Sequence, residues 1–138
     1  MKGSAALLFF IAYCVSLPAN AIEFWHSNTT WAGQGQCSAA FSFDAGEEDV
    51  KSLQVAVTAV AKGGKKVVSG VLEIKEFGQS DATRYANAFL EGEALCDSGL
   101  IIVVNKATAV IDGKRVDLLK TKSLSARDFK PFRISIGK

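Results

Sequence analysis

Short segments in which apolar residues recur at every second position constrain the fold of this chain most strongly. Every second residue is apolar between Cys37 and Phe43, and again between Leu53 and Ala59. Because successive side chains of a strand point to opposite faces, each segment predicts a strand with one buried face. An acidic turn at 44–49 and a basic, glycine-containing turn at 62–66 separate these segments from the strands that follow.

Later segments continue this pattern. Residues 67–77 return from the basic turn with Val68, Leu72 and Ile74 facing one way, and Gly70 indicates a bulge. A β-branched strand over 100–111 is followed by Asp112-Gly113, the signature of a type I′ hairpin turn. Residues 115–119 pair back, and Phe132, Ile134 and Ile136 form a closing strand. Seven or eight strands predict an all-β, antiparallel sandwich of the immunoglobulin or fibronectin type III kind.

Residues 80–93 fit two structures. Ala82, Tyr85, Ala86, Phe89 and Leu90 have helical spacing, with Ser80 as an N-cap and Gly92 as a C-cap. The same stretch also alternates, with Ala86, Ala88 and Leu90 on one face. The neighbouring strands favour a strand that leads towards Cys96, with a helical turn at its start.

The N-terminal residues 1–21 predict a cleavable signal peptide. Lys2 precedes a thirteen-residue apolar run, Pro18 ends it, and Ala19-Asn20-Ala21 has the small residues of a cleavage site. That run spans about 20 Å as a helix, less than the roughly 30 Å of a bilayer core. We therefore expect cleavage between Ala21 and Ile22, a single domain over 22–138, and export to the periplasm or beyond the cell.

Removal of the signal peptide changes the charge and the cysteine count. The full chain has 16 Lys+Arg and 14 Asp+Glu, so loss of Lys2 leaves 15 against 14. This near-neutral balance argues against nucleic acid or a membrane as the main partner. Loss of Cys14 leaves Cys37 and Cys96, which an exported chain would most simply pair as a disulfide. Two free thiols remain an alternative, and a metal site is disfavoured because two Cys and one His cannot complete a tetrahedral set without carboxylates.

The sequence contains no complete catalytic set. His26 is the one histidine, it lies close to the mature N-terminus, and no G-x-S-x-G motif accompanies it. We expect it to be an exposed or edge-strand residue. The carboxylate pairs Glu47/Asp49 and Glu91/Glu93 are interpreted as solvated turns or faces, and Lys62, Lys65 and Lys66 as a hairpin tip. We expect neither an enzyme nor a cofactor.

Aromatic residues crowd the mature N-terminus, at Phe24, Trp25 and Trp31. Some of them belong in the core, but aromatic residues are also favoured at protein interfaces. The segment 22–31 precedes the flexible Gly33-Gln34-Gly35 turn, so it could pack on its own sandwich or on that of a second chain. We interpret these three residues as a candidate surface for self-association or partner binding.

The residues also resemble a known family. FWHSNTTWAGQGQCSAAFSFDAGEEDVKSLQVAV, ATRYANAFLEGEALC and the NKATAVIDGK hairpin are similar to the small secreted bacterial interleukin receptor mimic proteins, the IrmA type. This resemblance implies a fibronectin type III-like sandwich, a domain-swapped homodimer, and binding of host interleukins of the interleukin-2, interleukin-4 and interleukin-10 class. Two other functions compatible with a small disulfide-linked β protein are inhibition of a host enzyme such as lysozyme and a structural role in a surface fibre.

Overall fold

A computed structural model describes residues 22–127 and 132–136 of the chain. The predicted signal peptide, residues 1–21, lies outside the described residues. Within them, no helix is long and apolar enough to cross a membrane.

Nine strands form the described part of the fold. Their bounds are β1 Ile22–Gly33, β2 Gln36–Asp44, β3 Val50–Val60, β4 Lys66–Phe77, β5 Tyr85–Gly92, β6 Ile101–Ile111, β7 Lys114–Asp117, β8 Leu124–Ala126 and β9 Arg133–Ile136. One sheet has the order β5-β2-β1-β8, and the other has the order β4-β3-β6-β7 with β9 also paired to β6. The predicted all-β sandwich is confirmed.

The connectivity of the first seven strands is that of a fibronectin type III domain. Three of them, β5, β2 and β1, pair antiparallel in one sheet, and β4, β3, β6 and β7 pair antiparallel in the other. The short strands β8 and β9 then add to β1 and β6 in parallel. Strand β1 therefore lies between β2 and β8.

The alternating residues supply the core. Cys37, Ala39, Phe41 and Phe43 of β2 are buried, as are Leu53, Val55, Val57 and Ala59 of β3. Phe24 of β1 is fully buried, and its ring stacks on that of Phe43 with centroids 4.8 Å apart. The period-two pattern thus identified the buried faces of both sheets.

Residues 80–93 resolve as a turn followed by a strand. A 3-10 turn covers Asp81–Thr83, and the backbone N–H of Ser80 donates to the Thr83 hydroxyl at 3.1 Å. Strand β5 then pairs along its whole length with β2, so Ala88 and Leu90 face the core. The prediction of a strand that starts after a helical turn is confirmed.

Two glycine predictions have different outcomes. Asp112 and Gly113 both have positive φ, +52° and +85°, as a type I′ turn requires, and they join β6 to β7.

The bulge expected at Gly70 is wrong, because Gly70 pairs in regular register with Val57. Its glycine identity instead reflects close sheet packing, since a Cβ there would lie 2.5 Å from Leu90 Cδ1 of the opposite sheet.

The predicted disulfide between Cys37 and Cys96 is present. Cys37 is the second residue of β2, and Cys96 ends a 3-10 turn, Glu93–Cys96, between β5 and β6. The bridge therefore ties a strand to a loop and does not connect the two sheets.

Candidate binding surface

The outer face of the four-stranded sheet carries a group of exposed or half-buried aromatic and arginine side chains. We call it the aromatic face and define it by Trp25, Arg84, Tyr85, Phe89 and Arg127. Tyr85 and Phe89 are 58 % and 56 % exposed, although both lie in strand β5. Alternation along β5 causes this, because Ala86, Ala88 and Leu90 occupy the inward positions.

Strand register brings these residues together. Tyr85 lies opposite Asp44, which in turn lies opposite Glu23, and Asn87 lies opposite Ser42, which lies opposite Trp25. The Ser42 hydroxyl donates to Asn87 Oδ1 at 2.9 Å. The strands β1, β2 and β5 thus place residues far apart in the chain in two adjacent rows.

Arg84 is fixed beside Tyr85 by an ion pair. Its Nε donates to Asp44 Oδ1 at 2.7 Å and its Nη2 to Asp44 Oδ2 at 3.1 Å, a bidentate arrangement. The guanidinium lies over the Tyr85 ring, 5.3 Å from the centroid. The Arg84 hydrogen bonds hold the pKa of Asp44 below its ordinary value, so this carboxylate stays charged at neutral pH.

Arg127 has a corresponding role beside β1, where it contacts one residue of each row. Its Nη2 donates to Glu23 Oε1 at 2.6 Å, and its guanidinium lies 4.8 Å from the centroid of the Trp25 indole. Each arginine is therefore held between a carboxylate and an aromatic ring. Contacts of this kind restrict the rotation of an exposed ring, and a ring that is already ordered loses less entropy when it binds a partner.

The three aromatic residues predicted as a partner surface do not lie on one surface. Phe24 is fully buried and belongs to the core, so it is unavailable to a partner. Trp25 is half-buried on the aromatic face. Trp31 is 71 % exposed near the far end of β1, opposite Cys37. The prediction of a surface role stays open for Trp25 and Trp31.

Of the two expectations for His26, exposure is wrong, whereas an edge-strand position is confirmed: among the described residues β1 pairs with β2 alone at His26, because its pairing with β8 ends at Phe24. The His26 side chain is fully buried, stacks on Phe132 with ring centroids 4.2 Å apart, and lies 5.4 Å from the Phe41 centroid. Its Nε2 shares a 2.7 Å hydrogen bond with the Thr29 hydroxyl. Burial lowers the pKa of His26, so the imidazole is held neutral as a core residue.

The acidic and basic clusters occupy turns and strand surfaces. Glu47, Glu91 and Glu93 are exposed, and Asp49 accepts a hydrogen bond from Gln79 Nε2 at 2.6 Å. The three lysines of the 62–66 turn are exposed. Among the described residues, no group of three His, Cys, Asp or Glu side chains could hold a metal ion.

Sequence analysis missed four residues of the aromatic face: Arg84, Tyr85, Phe89 and Arg127. A usable signal was present for two of them, since the strand interpretation of 85–90 puts Tyr85 and Phe89 on the outer side. No sequence signal pairs Arg84 with Asp44 or Arg127 with Glu23, because those contacts depend on which strands become neighbours.

The fold and the aromatic face define the class of protein: a disulfide-bonded sandwich of fibronectin type III topology with a preformed aromatic and arginine surface. A family model described as interleukin receptor mimic protein A (IrmA) matches residues 22–126. The chain belongs to this family.

Structure comparison agrees with that assignment. A solved structure of IrmA from Escherichia coli is similar to the chain, with a TM-score of 0.65 and 30% sequence identity. The similarity covers 80% of this chain and 93% of that one. No curated protein sequence matches the chain. The family description names a receptor mimic, which implies a binding protein and not an enzyme.

Proposed function

We propose that the mature chain is an exported binding protein that engages host interleukins of the interleukin-2, interleukin-4 and interleukin-10 class and so modulates immunity. Membership of the interleukin receptor mimic family over residues 22–126 is the observation that carries this proposal. The aromatic face is the proposed contact surface for the cytokine.

The chemistry of the aromatic face supports this assignment. Tryptophan, tyrosine and arginine are the residue types most enriched at binding hot spots, and all three lie on the face. Its two ion pairs, Arg84–Asp44 and Arg127–Glu23, offer polar contacts around the exposed rings of Tyr85 and Phe89. A sheet face with exposed rings also suits the side of a helix, the element from which cytokine bundles are built.

Export belongs to the same proposal. We expect signal peptidase to cut between Ala21 and Ile22, and the Cys37–Cys96 disulfide fits an oxidising compartment. Ile22 is fully buried, and its backbone nitrogen donates to the Ser123 carbonyl at 3.0 Å. Cleavage of the Ala21–Ile22 peptide bond would leave strand β1 intact from its first residue.

A homodimer is also proposed. Exchange of the segment Ile22–Trp31 between two chains would preserve the β1–β2 pairs from Glu23–Asp44 to Trp31–Cys37 and change which chain supplies that part of β1. The fold is therefore compatible with the domain swap that the family resemblance implies.

Surface plasmon resonance with immobilised interleukin-2, interleukin-4 and interleukin-10 tests the binding function. We expect saturable binding of the chain 22–138 to at least one of them. Trp25→Ala should raise the dissociation constant by about tenfold or more, because it removes a hot-spot ring and the partner of Arg127.

Val71→Ala is the matched control. Val71 is 47 % exposed on β4, in the other sheet, so its truncation should leave the affinity unchanged. Flat traces against all three interleukins contradict the cytokine proposal. Equal losses for Trp25→Ala and Val71→Ala contradict the assignment of the binding face.

A further inference from the structure

Basic and acidic residues are segregated along the chain. Residues 22–99 contain six Lys+Arg and eleven Asp+Glu, whereas residues 100–138 contain nine Lys+Arg and three Asp+Glu. The near-neutral total therefore conceals a basic C-terminal segment. Charge that is separated in this way creates a local field that attracts anionic partners, although the net charge of the chain is small.

Three lysines of this basic segment line one groove on the five-stranded sheet. The groove lies where β6 meets the turn 118–122 that follows β7, and the Leu118 backbone N–H at the start of this turn donates to the Ala107 carbonyl at 2.9 Å. Its volume is about 390 Å³. We call it the lysine groove and define it by its lining residues, Asn105, Lys106, Asp117, Leu119, Lys120 and Lys122.

The three ammonium groups of the lysine groove are available to a ligand. All three lysines are exposed, and the two ion pairs of the described residues lie on the aromatic face and include none of them. Asp117 is the one acidic residue of the groove. Its Oδ1 already accepts the backbone N–H groups of Leu119 and Lys120 at 3.1 Å each, so this carboxylate stabilises the turn.

Lys122 has a backbone conformation that lysine rarely adopts. Its φ is +57°, in the left-handed region that glycine and asparagine occupy more readily. The hydrogen bonds of the turn hold this conformation, since the Lys122 N–H donates to the Leu119 carbonyl at 3.2 Å and the Ser123 N–H donates to the Leu118 carbonyl at 2.9 Å. Unfavourable conformations of this kind concentrate at functional sites, and here the side chain of Lys122 lines the groove.

Arg115 extends the basic surface along the same sheet face. It is exposed and lies opposite Val110 of β6. Because Ala107 and Ala109 point into the core, the alternate residues Lys106 and Val110 both face outward. These two residues are four positions apart, so Arg115 lies about 13 Å along the strand from the lysine groove. A single small anion cannot contact both places, whereas an extended polyanion can.

We propose that the lysine groove and Arg115 bind a linear sulfated polysaccharide of the glycosaminoglycan class. Its sulfate groups form charge-assisted hydrogen bonds with ammonium and guanidinium groups, and its extended chain spans the distance between them. None of the six lining residues is aromatic, which disfavours single-stranded nucleic acid, because its bases stack on aromatic rings. Leu119 is the one large apolar lining residue, which is too little for insertion into a membrane surface.

The lysine groove is separate from the aromatic face. It belongs to the five-stranded sheet, and the aromatic face is the outer face of the four-stranded sheet. A polysaccharide in the groove therefore leaves the aromatic face free for a protein partner. The proposal does not depend on interleukin binding, and loss of either interaction leaves the other in place.

Surface plasmon resonance with immobilised heparin tests the site in the chain 22–138. We expect saturable binding that weakens as salt is added, because each cation that contacts a sulfate releases counterions. The groove variant Lys106→Gln, Lys120→Gln and Lys122→Asn should raise the dissociation constant by about tenfold or more and lower the slope of log Kd against log salt by about 2. Asparagine suits the positive φ at position 122, so this variant should unfold in urea at the same concentration as wild type or above it.

The turn variant Lys62→Gln, Lys65→Gln and Lys66→Gln is the matched control. It removes the same three charges from the exposed turn between β3 and β4. Its affinity for heparin should stay close to that of wild type at about 0.15 M salt, where charges beyond about 8 Å are largely screened. Equal losses for the two triple variants would overturn the proposal, because net charge alone would then account for binding.

Three further probes identify the chemistry of the ligand. Heparin without its sulfate groups should bind at least about tenfold more weakly, and inorganic sulfate at the same sulfate concentration should not displace heparin from the chain. A thymidine oligonucleotide and vesicles of phosphatidylglycerol should also bind more weakly than heparin. No binding to heparin at about 0.15 M salt would overturn the proposal, as would equal or tighter binding of the oligonucleotide or the vesicles.

Discussion

His26 is the residue whose environment departs most from what the sequence indicates. Near the N-terminus and beside polar residues, it has the local features of an exposed side chain. Its burial depends on Phe132, more than a hundred residues away, which covers the imidazole. One nitrogen is satisfied by Thr29, and Nδ1 has no hydrogen-bond partner among the described residues. A buried imidazole of this kind resists protonation.

We predict that His26 makes the fold less stable in mild acid. Because its pKa is lowered by burial, the unfolded chain binds a proton more readily than the folded chain does. The stability that the neutral His26 side chain contributes is therefore fully present above the unfolded-state pKa of about 6.5. That stability is lost as the pH falls towards the folded-state pKa of His26. Between pH 7.5 and 5.5 the wild type should lose about 1 kcal/mol more than His26→Phe, measured by urea unfolding. Equal pH dependence of the two proteins would contradict this.

At the scale of elements, the strands that sequence predicts best are those whose pattern is purely local. Alternation identified β2 and β3, and Asp112-Gly113 identified the β6–β7 turn, since backbone conformation there depends on neighbouring residues alone. Gly70 was misinterpreted because its constraint comes from Leu90 in the other sheet, a contact that no local pattern contains. The aromatic face was missed for the same reason: it exists only when β1, β2 and β5 become neighbours.

The Gly70–Leu90 contact gives a prediction at this scale. Gly70→Ala should destabilise the protein by about 1–2 kcal/mol, because the new Cβ forces Leu90 out of its packed position. Leu90→Val shortens the opposing side chain, so Gly70→Ala should cost less in that background. Urea unfolding of the four proteins in this double-mutant cycle measures the coupling. Strictly additive losses would show that the two residues do not restrict each other.

At the scale of the whole molecule, the Cys37–Cys96 disulfide supplements the hydrophobic core. The bridge links residues 59 apart in sequence and restricts the unfolded chain, which is the main source of its stabilisation in the chain-entropy account. The Cys37–Cys96 pairing was predictable because cleavage of the predicted signal peptide would leave two cysteines. The position of this disulfide, between a strand and a loop, was not predictable from the sequence.

Replacement of both cysteines tests this contribution. Cys37→Ala with Cys96→Ala should lower the free energy of unfolding by about 4 kcal/mol, a large share of the 5–15 kcal/mol typical of small domains. Urea unfolding under non-reducing conditions, compared with wild type, gives the difference. A loss below about 1 kcal/mol would mean that the unfolded chain gains little freedom when the bridge is removed.

The proposed function requires that the aromatic face of this chain contacts an interleukin. Cross-saturation NMR tests it most directly, because signal transfer from an unlabelled interleukin to the labelled chain 22–138 identifies the residues in contact. We predict transfer to Trp25, Tyr85 and Phe89, with none to Val71 on the opposite sheet. Transfer to the five-stranded sheet alone, or no transfer from any of the three interleukins, would contradict the account.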